Sequence, residues 1–337
     1  MSRNENAELQ DILAGRDLSR EVTQALFGRL MDGELSDVVK SALLVGLAMK
    51  GEAASEIAGA ASAMRKRVLT IPHTVAKVVD TCGTGGDGKG TFNISTAAAL
   101  VAAAAGVPVA KHGNRSVSSK SGSADVLAEL GVRIDLTPDE AGRCLHAVGI
   151  AFLFAPKLHP AMKEVMPVRR ELGVRTIFNV LGPLTNPAGA QRQVVGVFAQ
   201  HLVDTVADVL AELGSEHAFV VHGSDGLDEI TLTGPTRIAE VRRGEVRTYE
   251  IGPGDLGLDV CQPADLAGGT PQENAEAMRR VLGGEEGPLL DITAANAGAA
   301  MVAGGLVMDL AEAVEAAREV ILSGLAQAKL EELAAWS

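Results

Sequence analysis

From Asp80 to Thr96 the chain reads Asp-Thr-Cys-Gly-Thr-Gly-Gly-Asp-Gly-Lys-Gly-Thr-Phe-Asn-Ile-Ser-Thr, between an apolar run at 75–79 and an alanine-rich run at 97–105. That order predicts a strand, a glycine loop and a helix start. Glycines turn their amide N–H groups toward an anion without Cβ interference, and a helix N-terminus adds free donors and the positive end of its dipole. A phosphate is the expected guest. Two known phosphate loops nearly fit. Gly83-x-Gly85-x-x-Gly88 satisfies the dinucleotide fingerprint, but the second apolar run, 106–110, ends in Lys111-His112-Gly113-Asn114-Arg115 and not in the acidic residue that holds a ribose diol. Gly83 to Lys89 spells most of a Walker A loop, yet Gly90 stands where the magnesium-binding Ser or Thr belongs. Both nucleotide-binding classes are disfavoured.

The segment from Lys111 to Asp125 brings two lysines, an arginine, five serines and a glycine hinge to the end of the second predicted strand, and reads as a second phosphate clamp. Ser123 is expected to cap a helix over 124–130. Within the clamp His112 has two readings, a proton acceptor or a ring that pairs with the loop. Asp228-Glu229 follows another apolar run, 220–223. Adjacent carboxylates on an extended segment point to opposite faces and cannot share one proton, but each can reach a hard cation that bridges phosphates. Mg²⁺ is the natural candidate.

These residues need a scaffold that brings distant loops together. Residues 7–68 carry apolar positions at helical spacing, broken at 15–17, 32–34 and 51, with Ser19 and Ser36 placed as N-caps, and predict four short helices. From residue 75 apolar strands alternate with helical runs, the pattern of a parallel sheet covered by helices. Strands are expected at 75–80, 107–111, 132–135, 151–154, 193–197 and 218–223, an antiparallel hairpin over 227–245 with Gly244 in its turn region, and a closing amphipathic helix over 312–335. The domains are then a helical one at 1–70 and a larger α/β one at 75–337, with the Pro-bounded stretch 160–186 packing back on the first.

Composition narrows the function. With 337 residues and 47% hydrophobic content the chain can bury a large core. A net charge of −13, one Trp and one Tyr argue against a nucleic-acid binder, so the basic clusters at 111–120 and 157–175 read as sites for a small anion. Three scattered cysteines fit neither a disulfide framework nor a zinc cage. No apolar run reaches the ~20 residues of a spanning helix and the N-terminus lacks a signal-peptide core, so a cytoplasmic protein without membrane contact is expected.

The blocks Gly83–Asp87, Asn93–Thr96, Lys111–Arg115, Pro167–Pro187 and Asp228-Glu229, in this order, resemble the anthranilate phosphoribosyltransferase family. The resemblance implies transfer of 5-phosphoribose from phosphoribosyl pyrophosphate to the amine of anthranilate in tryptophan biosynthesis. It implies an α/β fold of the nucleoside phosphorylase/phosphoribosyltransferase type, with a small N-terminal helical domain and a mostly parallel central sheet. By that similarity Gly83, Gly86, Asp87, Thr91, Asn93, Ile94, Ser95, Thr96, Lys111, Ser119 and Ser123 bind phosphoribosyl pyrophosphate. Two Mg²⁺ per monomer are implied, one on Ser95 and Glu229 and one on Asp228 and Glu229. Asn114 and Arg169 position anthranilate, with Gly83, His112, His159, Gly182 and Pro183 lining its approach, and the protein pairs as a homodimer through its helical domain. A pyrimidine nucleoside phosphorylase, the nearest rival, acts on a neutral base and has no use for Arg169 as a carboxylate fork. The segment 292–297 is less hydrophobic than its counterpart in the family and is expected to lie outside the site.

Overall fold

The computed structural model describes residues 5–115 and 120–336. Four helices come first, α1 (Glu5–Leu13), α2 (Arg20–Met31), α3 (Asp37–Lys50) and α4 (Ala54–Arg65). The alternating part runs β1 (Val79–Asp80), α5 (Ile94–Ala104), β2 (Val109–Gly113), α6 (Ser123–Glu129), α7 (Pro138–Val148), β3 (Ile150–Phe154), α8 (Ala155–Leu158), α9 (Met166–Leu172), α10 (Phe178–Leu181), β4 (Arg192–Gly196), α11 (Leu202–Glu212) and β5 (His217–Gly223). A hairpin of β6 (Thr236–Arg242) and β7 (Glu245–Ile251) follows, then α12 (Pro271–Leu282), α13 (Pro288–Gly304), α14 (Leu310–Leu322) and α15 (Leu325–Ala335). Ser19 and Ser36 cap α2 and α3, each hydroxyl accepting from an amide three residues on at 3.4 Å, an arrangement that contributes ~1 kcal/mol per helix.

Among the described residues the strands form one sheet in the order β3-β2-β1-β4-β5-β6-β7. The first five run parallel and the hairpin adds two antiparallel strands. Because β1 lies between β2 and β4, the chain leaves it in one direction and later returns on its other side. The chain therefore leaves β1 and β4 toward helices on opposite faces of the sheet, α5 and α11, and the C-terminal ends of these strands form the switch point in whose crevice open α/β sheets bind ligands.

Two cores flank the sheet. On one face α5, α7, α13 and α15 contribute Leu100, Leu145, Ile292 and Leu330. Helix α13 is buried without a break from Ile292 to Gly304, as a helix apolar on every side must be. On the other face Phe27, Leu30, Leu43, Leu47 and Ile57 of the helical bundle share one cluster with Val168, Phe178, Leu181 and Leu184, with α11, and with Val195 and Val220 of the sheet. The rings of Phe27 and Phe178 lie 5.7 Å apart. No helix among the described residues is long and apolar enough to cross a membrane.

Several elements differ from expectation. Residues 132–135 form no strand, because β3 takes the ladder position beside β2 through residues 150–154; Val132 is buried as part of an extended connection. The hairpin begins at Thr236 and not at Leu227, since 227–235 is a loop closed on itself by Asp225, whose carboxylate accepts from the hydroxyls of Thr231 and Thr233 at 2.7 and 2.6 Å. The closing helix is two helices, parted at Ser323-Gly324, where Gly324 takes a left-handed φ of 81°. Strand β2 runs Val109–Gly113 and not 107–111, so His112 and Gly113 join Lys111 in the strand itself. Ser123 is the first residue of α6 and Gly122 its cap; the Ser123 hydroxyl donates to the carbonyl of Asn114 at 3.2 Å.

Candidate active site

Three crevice loops meet through their backbones. Thr84 N–H donates to the carbonyl of Gly196 at 2.8 Å, and Phe198 N–H to the Thr84 hydroxyl at 3.1 Å, so the loops after β1 and β4 are tied together. The carboxylate of Asp228 lies across both, accepting from Gly85 N–H at 2.9 Å. Closeness explains the glycines. A Cβ on Gly196 would sit 1.5 Å from the Asp228 carbonyl oxygen, and one on Gly83 3.0 Å from the Asp228 carboxylate. Gly85 and Gly86 both take left-handed φ values, 63° and 80°, which turn successive amides to one side of the loop.

The N-terminus of α5 forms the second wall. Its cap, Asn93, makes no side-chain bond to the helix; its amide instead bonds Ser121, with 3.3 Å both ways, and accepts from Asn274 of α12 at 2.8 Å. Glu229 accepts from the free amide of Ser95 at 3.1 Å, a carboxylate at the positive end of the helix dipole. Lys111 is 3% exposed, and its ammonium donates to the Thr81 carbonyl and hydroxyl and to the Ser95 hydroxyl at 3.0, 3.2 and 3.3 Å. Its three protons are thereby all engaged.

Charge in this crevice is unbalanced. Burial and the neighbouring carboxylates push both Asp228 and Glu229 well above the usual carboxylate range, with Asp87 adding its repulsion to each. Asp228, Glu229 and the Ser95 hydroxyl offer hard oxygen donors of the kind that suits Mg²⁺, and a cation relieves the repulsion that the carboxylates exert on one another. A different cluster, Asp80, Cys82 and His112, has atoms within 4.8 Å of one another, but its members are engaged elsewhere. Asp80 is fully buried, raised to about 6 by burial, and accepts from Asn186 Nδ2 at 2.7 Å and His112 N–H at 3.0 Å. Burial also pushes the Cys82 thiol up, away from the thiolate a metal requires.

Beyond β2 two buried histidines meet. His112 Nδ1 is 3.2 Å from the Gly182 carbonyl and its Nε2 is 3.1 Å from His159 Nε2. A carbonyl only accepts, so His112 carries its proton on Nδ1 and His159 donates from Nε2. The Nδ1 of His159 is left a buried acceptor with no partner among the described residues. Burial pushes His112 down to about 3, with His159 adding to it, and His159 down to about 4, so both rings are neutral. Gln193 donates to the Pro183 carbonyl at 2.6 Å and fixes the neighbouring turn. Arg169, on α9, stands 5.4 Å over the ring of Phe178 and 3.8 Å from Met166 Sδ. It has no carboxylate partner among the described residues, and burial holds its guanidinium below the usual range.

Of the residues marked in the sequence, Gly83, Ser95, Lys111, Asp228 and Glu229 meet directly, and so do Asn114 with Ser123 and His112 with His159 and Gly182. Thr91 sits apart in a bridge to Ala267. Ser119 lies outside the described residues. The sequence does not mark Gly196, Asp80, Gln193 and Asn296, each of which has a partner well outside its own segment, at Asp228, Asn186, Pro183 and Ile230 in turn. Nor does it single out Arg175, which donates to the Gly86 carbonyl and stacks 4.2 Å over Phe198.

The helical bundle joined to an α/β sheet, with a glycine loop and an acidic pair at the sheet's switch point, is the architecture of a glycosyltransferase family. Residues 75–327 match the family described as "Glycosyl transferase family, a/b domain" and residues 8–68 its helical bundle domain. The chain belongs to the anthranilate phosphoribosyltransferase family. It is 52% identical over 326 residues to the enzyme of that name from Azorhizobium caulinodans, covering 97% of this chain and 94% of the relative. The crystal structure of the Thermus thermophilus enzyme superposes with a TM-score of 0.92 at 47% identity, covering 97% of this chain and 98% of that one. A Saccharomyces cerevisiae anthranilate phosphoribosyltransferase in complex with PRPP and Mg superposes at 0.88 with 27% identity, covering 98% and 96%.

Proposed function

We propose that the crevice binds phosphoribosyl pyrophosphate between the Gly83–Asp87 loop and the N-terminus of α5, and anthranilate between Arg169 and the His112–His159 pair. The chain is an anthranilate phosphoribosyltransferase, transferring 5-phosphoribose to the amine of anthranilate with release of pyrophosphate in tryptophan biosynthesis. One observation carries the acceptor assignment. Arg169 is a half-buried guanidinium with no carboxylate partner among the described residues, and anthranilate brings a flat carboxylate of the shape an Arg fork receives.

On the donor side, Gly83, Gly86, Asp87, Thr91, Asn93, Ile94, Ser95, Thr96 and Ser123 form our proposed contact set, with Lys111 supplying charge from beneath Ser95. Asp228, Glu229 and Ser95 would hold Mg²⁺, two ions in all. When bound, Mg²⁺ offsets the negative charge that grows on the departing pyrophosphate. Departure is the harder half of the reaction, and the protein's own part is the fixed amide donors of the glycine loop around the leaving group, with the positive charge of Lys111, buried beneath Ser95, adding to the field there. Attack needs less help, because an aryl amine is already neutral at pH 7. We therefore read His112 as a wall and not a base: its lone pair is taken by His159 and burial keeps the ring weakly basic. The chain divides in this reading into a helical domain at 1–70 and an α/β domain at 75–337, works in the cytoplasm, and pairs as a homodimer. Leu13, Val38 and Met49 of α1 and α3 support the pairing, being 71%, 80% and 83% exposed.

Arg169→Ala tests the acceptor site. A charged hydrogen-bonded contact of about 1.5–3 kcal/mol corresponds to a fall of roughly 10- to 150-fold in kcat/KM for anthranilate. The KM for phosphoribosyl pyrophosphate is expected to hold. Unchanged anthranilate kinetics, followed by the loss of its fluorescence, would remove Arg169 from the site.

A further inference from the structure

Helix α13 passes behind the acidic loop, and one of its side chains leaves the apolar pattern to grip it. Asn296 is 2% exposed among alanines. Its Oδ1 accepts from Ile230 N–H at 2.9 Å, and its Nδ2 donates to the Ile230 carbonyl and to Ile292 of its own helix, each at 2.9 Å. A side-chain amide that takes both backbone groups of one residue does what a neighbouring strand would do, in a place where no strand runs. Ile230 is the residue after Glu229, and its own side chain is fully buried. Upstream, the pair is seated on Gly196 and the Gly85 amide. Downstream, the clamp is Asn296.

We propose that Asn296 is a positioning residue for the metal-binding pair, setting the direction in which Asp228 and Glu229 present their carboxylates. The inference rests on reading that pair as the Mg²⁺ site. Nothing apolar at position 296 could replace the amide without leaving the Ile230 N–H and carbonyl unbonded in the core, and slack there is transmitted to Glu229 through a single peptide unit. Groups that orient metal ligands typically change metal affinity or activity by 10- to 100-fold when removed.

The test compares Asn296→Ser with Thr293→Val on the same buried helix, where the lost bond, to the Leu289 carbonyl, leads away from the site. Asn296→Ser is expected to raise the Mg²⁺ concentration for half-maximal activity by about 10- to 100-fold with anthranilate KM nearly unchanged. Thr293→Val is expected to lower the thermal midpoint only. Glu229→Gln separates the two layers of the argument. If it leaves Mg²⁺ dependence as in the unaltered protein, the metal reading fails; if it shifts that dependence while Asn296→Ser behaves like Thr293→Val, the Asn296 proposal alone is overturned. Should Asn296→Ser not fold, the unaltered protein serves. On titration with Mg²⁺ and pyrophosphate, the Asn296 side-chain amide and the Ile230 amide are expected to shift together by NMR, and an unmoved Asn296 amide overturns the proposal.

Discussion

Asp228 and Glu229 are held in a crevice that favours their protonated forms. Burial raises both, with repulsion from Asp87 on Asp228 and from Asp228 on Glu229, so across the window between the ordinary carboxylate range and the raised values the folded chain binds more protons than the unfolded one. Stability of the metal-free protein therefore falls as pH rises through that window, while the carboxylates become fit to hold Mg²⁺. The double variant Asp228→Asn with Glu229→Gln removes the repulsion. It is expected to be more stable than the unaltered protein at about pH 8, by about 0.5–2 kcal/mol, and to need far more Mg²⁺. In the unaltered protein the Mg²⁺ requirement is expected to rise as pH is lowered through neutral. Denaturant melts at two pH values and Mg²⁺ titrations check both halves; a variant less stable at each pH with an unchanged Mg²⁺ requirement would refute the electrostatic account. The doublet was legible in the sequence because adjacent carboxylates after an apolar run announce themselves locally. Asn296 was not, because its partner lies 66 residues away and an Asn among alanines carries no local sign of a clamp.

Only some of the elements that carry the site are legible in the sequence, and the rest are hidden for one physical reason. Helices of the N-terminal bundle were visible in spacing and caps, since both are local. The boundary of β2 and the absence of a strand at 132–135 were not, because a strand exists only if a ladder position is open, and residues 150–154 occupy it. Likewise nothing around Gly196 marks it as the floor beneath Asp228. Gly196→Ala states the consequence of that packing: with a Cβ placed 1.5 Å from the Asp228 carbonyl oxygen, either β4 or the acidic loop must move. A loss of about 1–3 kcal/mol in denaturant unfolding is expected, the usual range for overpacking, together with weaker Mg²⁺ use. Unaltered stability and Mg²⁺ dependence would mean that the loop yields freely and that its seat on β4 does not position it.

For the whole molecule, the proposed pairing places the exposed apolar residues of α1 and α3, Leu13, Val38 and Met49, at the contact. Val38→Glu with Met49→Glu is expected to weaken self-association by about 100-fold or more, since each charge would be buried unpaired at a dimer interface. Light scattering across a dilution series reads this directly, and a dimer as tight as that of the unaltered protein would locate the contact elsewhere. The shared cluster that joins Phe27, Leu43 and Ile57 to Phe178, Leu181 and the sheet bears on how such a chain can be rearranged. A crossover placed at residue 70 between two relatives would bring together half of one interior and half of another, mismatched across a surface that neither parent ever tested. A workable chimera has to inherit the leading bundle and the distant stretch at 160–186 from the same parent, so that the unit of exchange in this fold is set by a common interior and not by contiguity along the backbone.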